Sequence, residues 1–110
     1  MEDNQKYDQL TERLKSVLPI KAYPSREIVR DFRDKYSGLT LKTEFEIVDV
    51  YNSEEFTGII CVIEAANIKG FVCALTLLDI PSDQPYYIEI VDYQKKRLKK
   101  LRKQNKISWN

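Results

Sequence analysis

The sequence has no histidine, which removes the commonest general base and metal ligand from its chemistry. Its three glycines are scattered, so no glycine-rich loop is present to cradle a phosphate. Only two cysteines occur, Cys61 and Cys73, each in the middle of an apolar run of Ile, Val and Leu. Burial in such runs raises a thiol pKa and makes it inert, so they read as reduced core thiols and not as a redox pair. No apolar run approaches the roughly 18 residues needed to span a membrane. The polar, acidic start MEDNQKYDQL does not read as a signal peptide. These absences favour a cytoplasmic, non-enzymatic protein without a cofactor.

What remains is the composition of a folded domain. The 110 residues are 43% hydrophobic and 32% charged, enough apolar content for one independent core. The net charge of +1 conceals a division. Residues 95–106 hold eight of the 18 basic residues and no acidic one. The rest of the chain sets ten bases against all 17 acids, a balance of −7. The protein is an acidic body with a basic C-terminal segment.

Hydrophobic spacing organises the chain as one α+β domain of order α-α-β-β-β-α. Residues 1–38 form a helical N-terminal part. Leu10, Leu14, Val17 and Leu18 recur at helical spacing over 3–18, and Pro19 stops the run. The stretch PSREIVRDFRDKYSG predicts a second helix, with Ser25 as N-cap, Glu27 in the first turn and Gly38 just past the end. Residues 39–80 change period. TEFEIVDVYN, FTGIICVIEA and GFVCALTLLDI predict a three-stranded antiparallel meander, with a hairpin turn in ANIKG and Leu39–Leu41 extending the first strand. Strict alternation would put Phe45, Ile47, Asp49 and Tyr51 on one face. The later strands are apolar on both faces, which requires cover on both sides, closure into a small barrel, or a dimer.

Residues 82–106 predict a long helix, capped by Ser82 or Asp83 with Pro85 in its first turn. Tyr87, Val91, Gln94, Leu98 and Leu101 would form its packing seam, widened by Tyr86, Ile90 and Tyr93. The basic residues from Lys95 to Lys103 would then lie outside that seam. Bases late in a helix suit its dipole, and a solvated helix end is the plain alternative. Yet dipole compensation needs charge only in the last turn, and eight cations over three turns repel one another. Lys95, Lys96, Arg97, Lys99, Lys100, Arg102, Lys103 and Lys106 are therefore the candidate polyanion contacts, with nucleic acid as first partner and an acidic protein as second. Tyr93 and Trp109 are candidates for stacking on bases.

Two further expectations concern other surfaces. An apolar sheet face would suit a protein–protein adaptor or regulatory subunit, dimeric through that face. The hairpin residues Asp49, Asn52, Glu54 and Glu55 supply oxygen ligands of the kind a calcium ion takes, without the spacing or glycine of an EF-hand. A polar hairpin end explains the same residues, so no metal is expected.

Overall fold

The polar groups that join the elements show how the chain closes on itself. A computed structural model describes the backbone of residues 2–53 and 58–108, and the side chains of 7–53 and 58–102. It is a single α+β domain. Among the described residues there are three α-helices, α1 (Glu2–Lys15), α2 (Arg26–Phe32) and α3 (Tyr87–Ser108). Five strands, β1 (Ile20–Pro24), β2 (Phe45–Asn52), β3 (Ile59–Ala65), β4 (Ile68–Ala74) and β5 (Leu78–Asp79), form one antiparallel sheet in the order β4-β3-β2-β1-β5. The expected meander is its β2-β3-β4 portion.

The two extra strands correct the expected order. β1, in the sequence IKAYP, pairs with β2 through Ile20↔Ile47 and Ala22↔Phe45. The third expected strand breaks after Ala74 into a 3-10 turn at Leu75–Leu77, and its remainder becomes β5 beside β1. Four chain steps from Ala74 to Leu78 reach at most about 14 Å. Four strand spacings on a flat sheet cover about 19 Å. The sheet is therefore curled, and its two edges approach each other. Gln94 of α3 holds this crossover: its Nε2 donates to the carbonyl oxygens of Leu75 and Leu78, both at 2.8 Å.

All three helices pack on the inner face of the curled sheet. Leu10 and Leu14 of α1, Ile28 of α2 and Ile90 and Tyr93 of α3 join Phe45, Ile47, Val50, Ile59, Cys61, Ile63 and Phe71 in one core. Phe32 and Tyr36 meet Phe71 edge-on, at 4.9 and 5.9 Å between ring centroids. Ser25 caps α2 as expected, its Oγ accepting from the Ile28 N–H at 3.4 Å. That helix stops at Phe32 instead of running to Gly38, although Gly38 does take a positive φ of 83°. α1 ends at Lys15, earlier than the expected Leu18, and Leu39–Leu41 lies outside the strands. α3 begins at Tyr87, later than expected. The Gln84 side chain accepts from the Lys21 N–H at 2.8 Å, and Tyr86 takes a φ of 60°, so Pro85 stays outside the helix.

A bulge in β2 overturns the expected strand face. Ile47 pairs with Ile63 but Asp49 pairs with Val62, so one extra residue sits between them. Before it, Phe45 and Ile47 point inward; after it, Val50 does. Asp49 and Tyr51 are thereby turned to the outer face and exposed. A one-residue shift moves a side chain to the opposite face, so the burial that alternation implied for Asp49 does not occur.

Candidate functional site: the two sides of α3

Three anchors fix the direction of α3 over the sheet. Gln84, just before the helix, meets Lys21 at the start of β1. Gln94 meets the crossover. The Tyr93 hydroxyl accepts from the Ile59 N–H at 2.9 Å, beside the far end of β2, where Asn52 pairs with Ile59. α1 runs the other way: Asp8 accepts from Asn52 Nδ2 at 2.8 Å, and its last turn leads to Ile20. The two helices are therefore antiparallel. Tyr7 and Tyr93 meet edge-on between them, with ring centroids 5.0 Å apart.

The side of α3 that faces the sheet is Ile90, Tyr93, Gln94, Arg97 and Leu101, with Lys100 half-buried at its margin. This corrects the expected seam. Leu98, expected as an anchor, is 38% exposed, whereas Arg97, expected among the phosphate contacts, is only 2% exposed. Ile90, Tyr93, Gln94 and Leu101 face the sheet as expected, and it is only in the turn between Gln94 and Leu101 that Arg97 takes the inward place expected of Leu98, about 100° further round. Arg97 lies against Tyr93 and Gly58. Its Nε is 3.3 Å from where a Cβ on Gly58 would stand, and that Cβ would collide with the Tyr93 hydroxyl. With its positive φ of 68°, Gly58 is the residue type this close approach requires. Burial pushes the Tyr93 hydroxyl pKa up, against the smaller opposing pulls of the Ile59 N–H and the Arg97 charge. Tyr93 is thus a core residue and is not available to stack on bases. Trp109 lies outside the described residues.

The exposed flank carries Ile88, the half-buried Val91, Lys95, Leu98 and Arg102 at spacings of 3, 4, 3 and 4, with Lys99 and Asp92 alongside. Ile88 is 74% exposed. Among the described residues, Lys95, Lys99 and Arg102 make no ion pair, whereas Lys96 pairs with Asp92 one turn back at 3.0 Å. That pair is exposed on both sides and worth only about 0.3–0.5 kcal/mol, so Lys96 remains available to a competing anion. Lys103 and Lys106 lie on α3, and their side chains are outside the described residues. Of the eight candidate contacts, the structure thus brings Lys95, Lys96, Lys99 and Arg102 to the surface, removes Arg97, and leaves Lys100 at the margin.

A groove of about 320 Å³ runs between α1 and α3. Its cations Arg13, Lys96 and Lys100 face its anions Glu89 and Asp92, a mixed lining that selects neither sign of ligand.

Of the hairpin residues, Asp49 and Asn52 do not converge. Asp49 Oδ1 accepts from the neighbouring Val50 N–H at 2.8 Å on the outer face, while Asn52 reaches inward to Asp8. Glu54 and Glu55 lie outside the described residues. No cluster of three metal-ligating side chains occurs among the described residues. Cys61 and Cys73 are direct partners across β3 and β4, and both are free thiols. Burial holds the Cys73 pKa up to about 12, and burial raises that of Cys61 well above the ordinary range. Thiols held protonated in this way are poor nucleophiles.

No helix of the described residues is long and apolar enough to cross a membrane. Comparison with family models, curated proteins and solved structures finds no match to this chain.

Proposed function

We propose that the protein is a non-enzymatic binding module that takes a polyanion, nucleic acid first among them, on the outer side of α3. The observation that carries this reading is the exposed row Lys95, Lys99 and Arg102, which makes no ion pair among the described residues. Cations that stay unpaired while the helix is held by its other side form a rigid, prepaid array for phosphates. Lys96 lies at the edge of that array. Contact would be with the backbone of the nucleic acid and largely independent of sequence. A second reading, an adaptor for another protein, is favoured by the open outer face of the sheet, where Tyr51 and Val72 are 42% and 49% exposed.

The test is the salt dependence of binding to single-stranded and duplex oligonucleotides. With three or four phosphate contacts and a slope near −0.9 per phosphate on duplex DNA, affinity should fall roughly 40- to 150-fold between about 50 and 200 mM salt. Substitution of Lys95, Lys96, Lys99 and Arg102 by Gln should flatten that slope without loss of helix, because Gln is a comparable helix former. Binding that keeps its slope in the substituted protein, or no binding at low salt in the unsubstituted one, overturns the proposal.

A further inference from the structure

The outer face of the sheet carries its own unresolved electrostatics. Glu46 and Glu64 are direct partners across β2 and β3, both exposed, and neither makes an ion pair among the described residues. Like charges placed opposite each other on a sheet are destabilising. Glu44 edges the same shallow recess, where Lys21 compensates it at 2.9 Å. Along the strands from this acidic end the face carries Asp49 beside Val62 and is otherwise apolar. The half-buried Val62 lies opposite the exposed Val72, and beyond them Tyr51 and Ala74 flank Ile60.

The outer stripe of α3 has the matching gradient with the opposite sign. It begins with Ile88 and Val91 and ends with Lys95, Leu98, Lys99 and Arg102. From Ile88 to Arg102 it is about 21 Å long at 1.5 Å per residue. The sheet face from Glu46 to Tyr51 is about 17 Å long at 3.3–3.4 Å per residue. Apolar ends and charged ends therefore come into register together, with the helix laid antiparallel to β2. These two surfaces cannot meet within one chain. α3 packs on the inner face of the sheet, so its exposed stripe lies on that side, while the acidic face points the other way.

We propose that the outer stripe of α3 docks on the acidic, half-apolar outer face of β2–β4 in a second copy of the chain. Each contact would relieve two like-charge repulsions at once, the glutamate pair on the sheet and the cation row on the helix. The donor and acceptor surfaces lie on opposite sides of the molecule, so the contact is heterologous and propagates head to tail instead of closing a two-fold dimer. A stripe about 21 Å long and about 10 Å wide falls well short of the roughly 800 Å² per partner of a standard stable interface. The association is accordingly weak, dependent on concentration and dissolved by salt. It occupies the same side of α3 as the proposed polyanion contact, so a polyanion and a second copy exclude each other.

Sedimentation velocity over a concentration series tests this. At about 50 mM salt the weight-average mass should climb continuously past twice the monomer mass, and at about 500 mM it should return to 13.0 kDa. Two charge-reversed proteins sharpen the result: Glu46→Lys with Glu64→Lys, and Lys95→Glu with Lys99→Glu. Each alone should stay monomeric, because each sets like charge against like. Mixed in equal amounts they should associate again, since every helix then finds a sheet of opposite sign. All these residues are exposed, so both variants should fold, and circular dichroism checks it. The sheet variant keeps its cation row and should still bind an oligonucleotide, which separates failure of this proposal from failure of the polyanion reading. A monomer at every concentration, a closed dimer, or a mixture that fails to associate overturns the head-to-tail contact.

Discussion

The two sides of α3 are built from overlapping residue types and behave oppositely. On the inner side the polar groups meet specific places in the fold: Tyr93 accepts from Ile59, Gln94 donates to the crossover, and Arg97 fits against Gly58. On the outer side, Lys95, Lys99 and Arg102 are exposed and make no ion pair among the described residues. The inner polar groups therefore belong to stability, and the outer ones are those proposed for recognition. An arginine on this helix is assigned to one task or the other by its rotation about the axis, not by its place in a basic run.

The sharpest way to break that comparison is to truncate one arginine from each side. Arg97→Ala should destabilise the fold by about 3 kcal/mol, because it empties a buried volume and removes both packing and charge from against Tyr93. Arg102→Ala should change stability by less than about 0.5 kcal/mol, as exposed substitutions do. Urea unfolding of the two variants reads both values. Equal losses would mean that Arg97 is not part of the core, and the division of the helix would fall.

A smaller effect is expected at the crossover. Gln94→Leu keeps the volume but deprives the Leu75 and Leu78 carbonyls of their side-chain donor. The cost should be about 2 kcal/mol, within the range for leaving buried polar groups unsatisfied. Hydrogen exchange should show it locally, with faster exchange in β5 and in the Ser25 N–H, which donates to Leu77. A uniform acceleration over the whole chain would mean that Gln94 acts through global stability and does not clip the crossover.

These inner-side contacts explain which parts of the fold were legible in the sequence. Ser25 capping, the alternation of Ile59, Cys61 and Ile63, and the positive φ at Gly38 all depend on residues close in the chain, and sequence spacing records them. β1 was hidden because five residues with an exposed lysine carry little period of their own, and their pairing partner lies some 25 positions away. The β2 bulge left no mark on the alternation of FEIVDVYN, so Asp49 and Tyr51 were placed on the wrong face. Within the candidate site, the row Lys95, Lys99 and Arg102 was legible as charge. The burial of Arg97 was not, because the pocket that receives it is made by Gly58, 39 positions earlier in the chain.

The last test concerns thiols on the inner face of the sheet beneath the helices. Cys73 is held protonated up to about pH 12 in the folded protein, and Cys61 is shifted the same way, both by burial. In the unfolded chain a thiol ionises near its ordinary value of 9.0. The folded pKa is raised, so the stabilisation is complete below pH 9 and is lost as the pH climbs toward the folded value. Each pH unit above the unfolded pKa should cost about 1.4 kcal/mol for a thiol that stays protonated when folded and ionises when unfolded. Tyr93, also raised by burial, adds its own loss only above its ordinary value of 10.0, so the interval between pH 9 and pH 10 isolates the thiols. Chemical unfolding across that interval should show falling stability in the unsubstituted protein. A double variant, Cys61→Ala with Cys73→Ala, should start less stable because of the lost packing but run nearly flat over the same interval. The exposed outer lysines serve as the control, and their replacement by Gln should leave the slope unchanged. A slope that survives removal of both thiols but disappears with the lysines would reverse the assignment of the two sides.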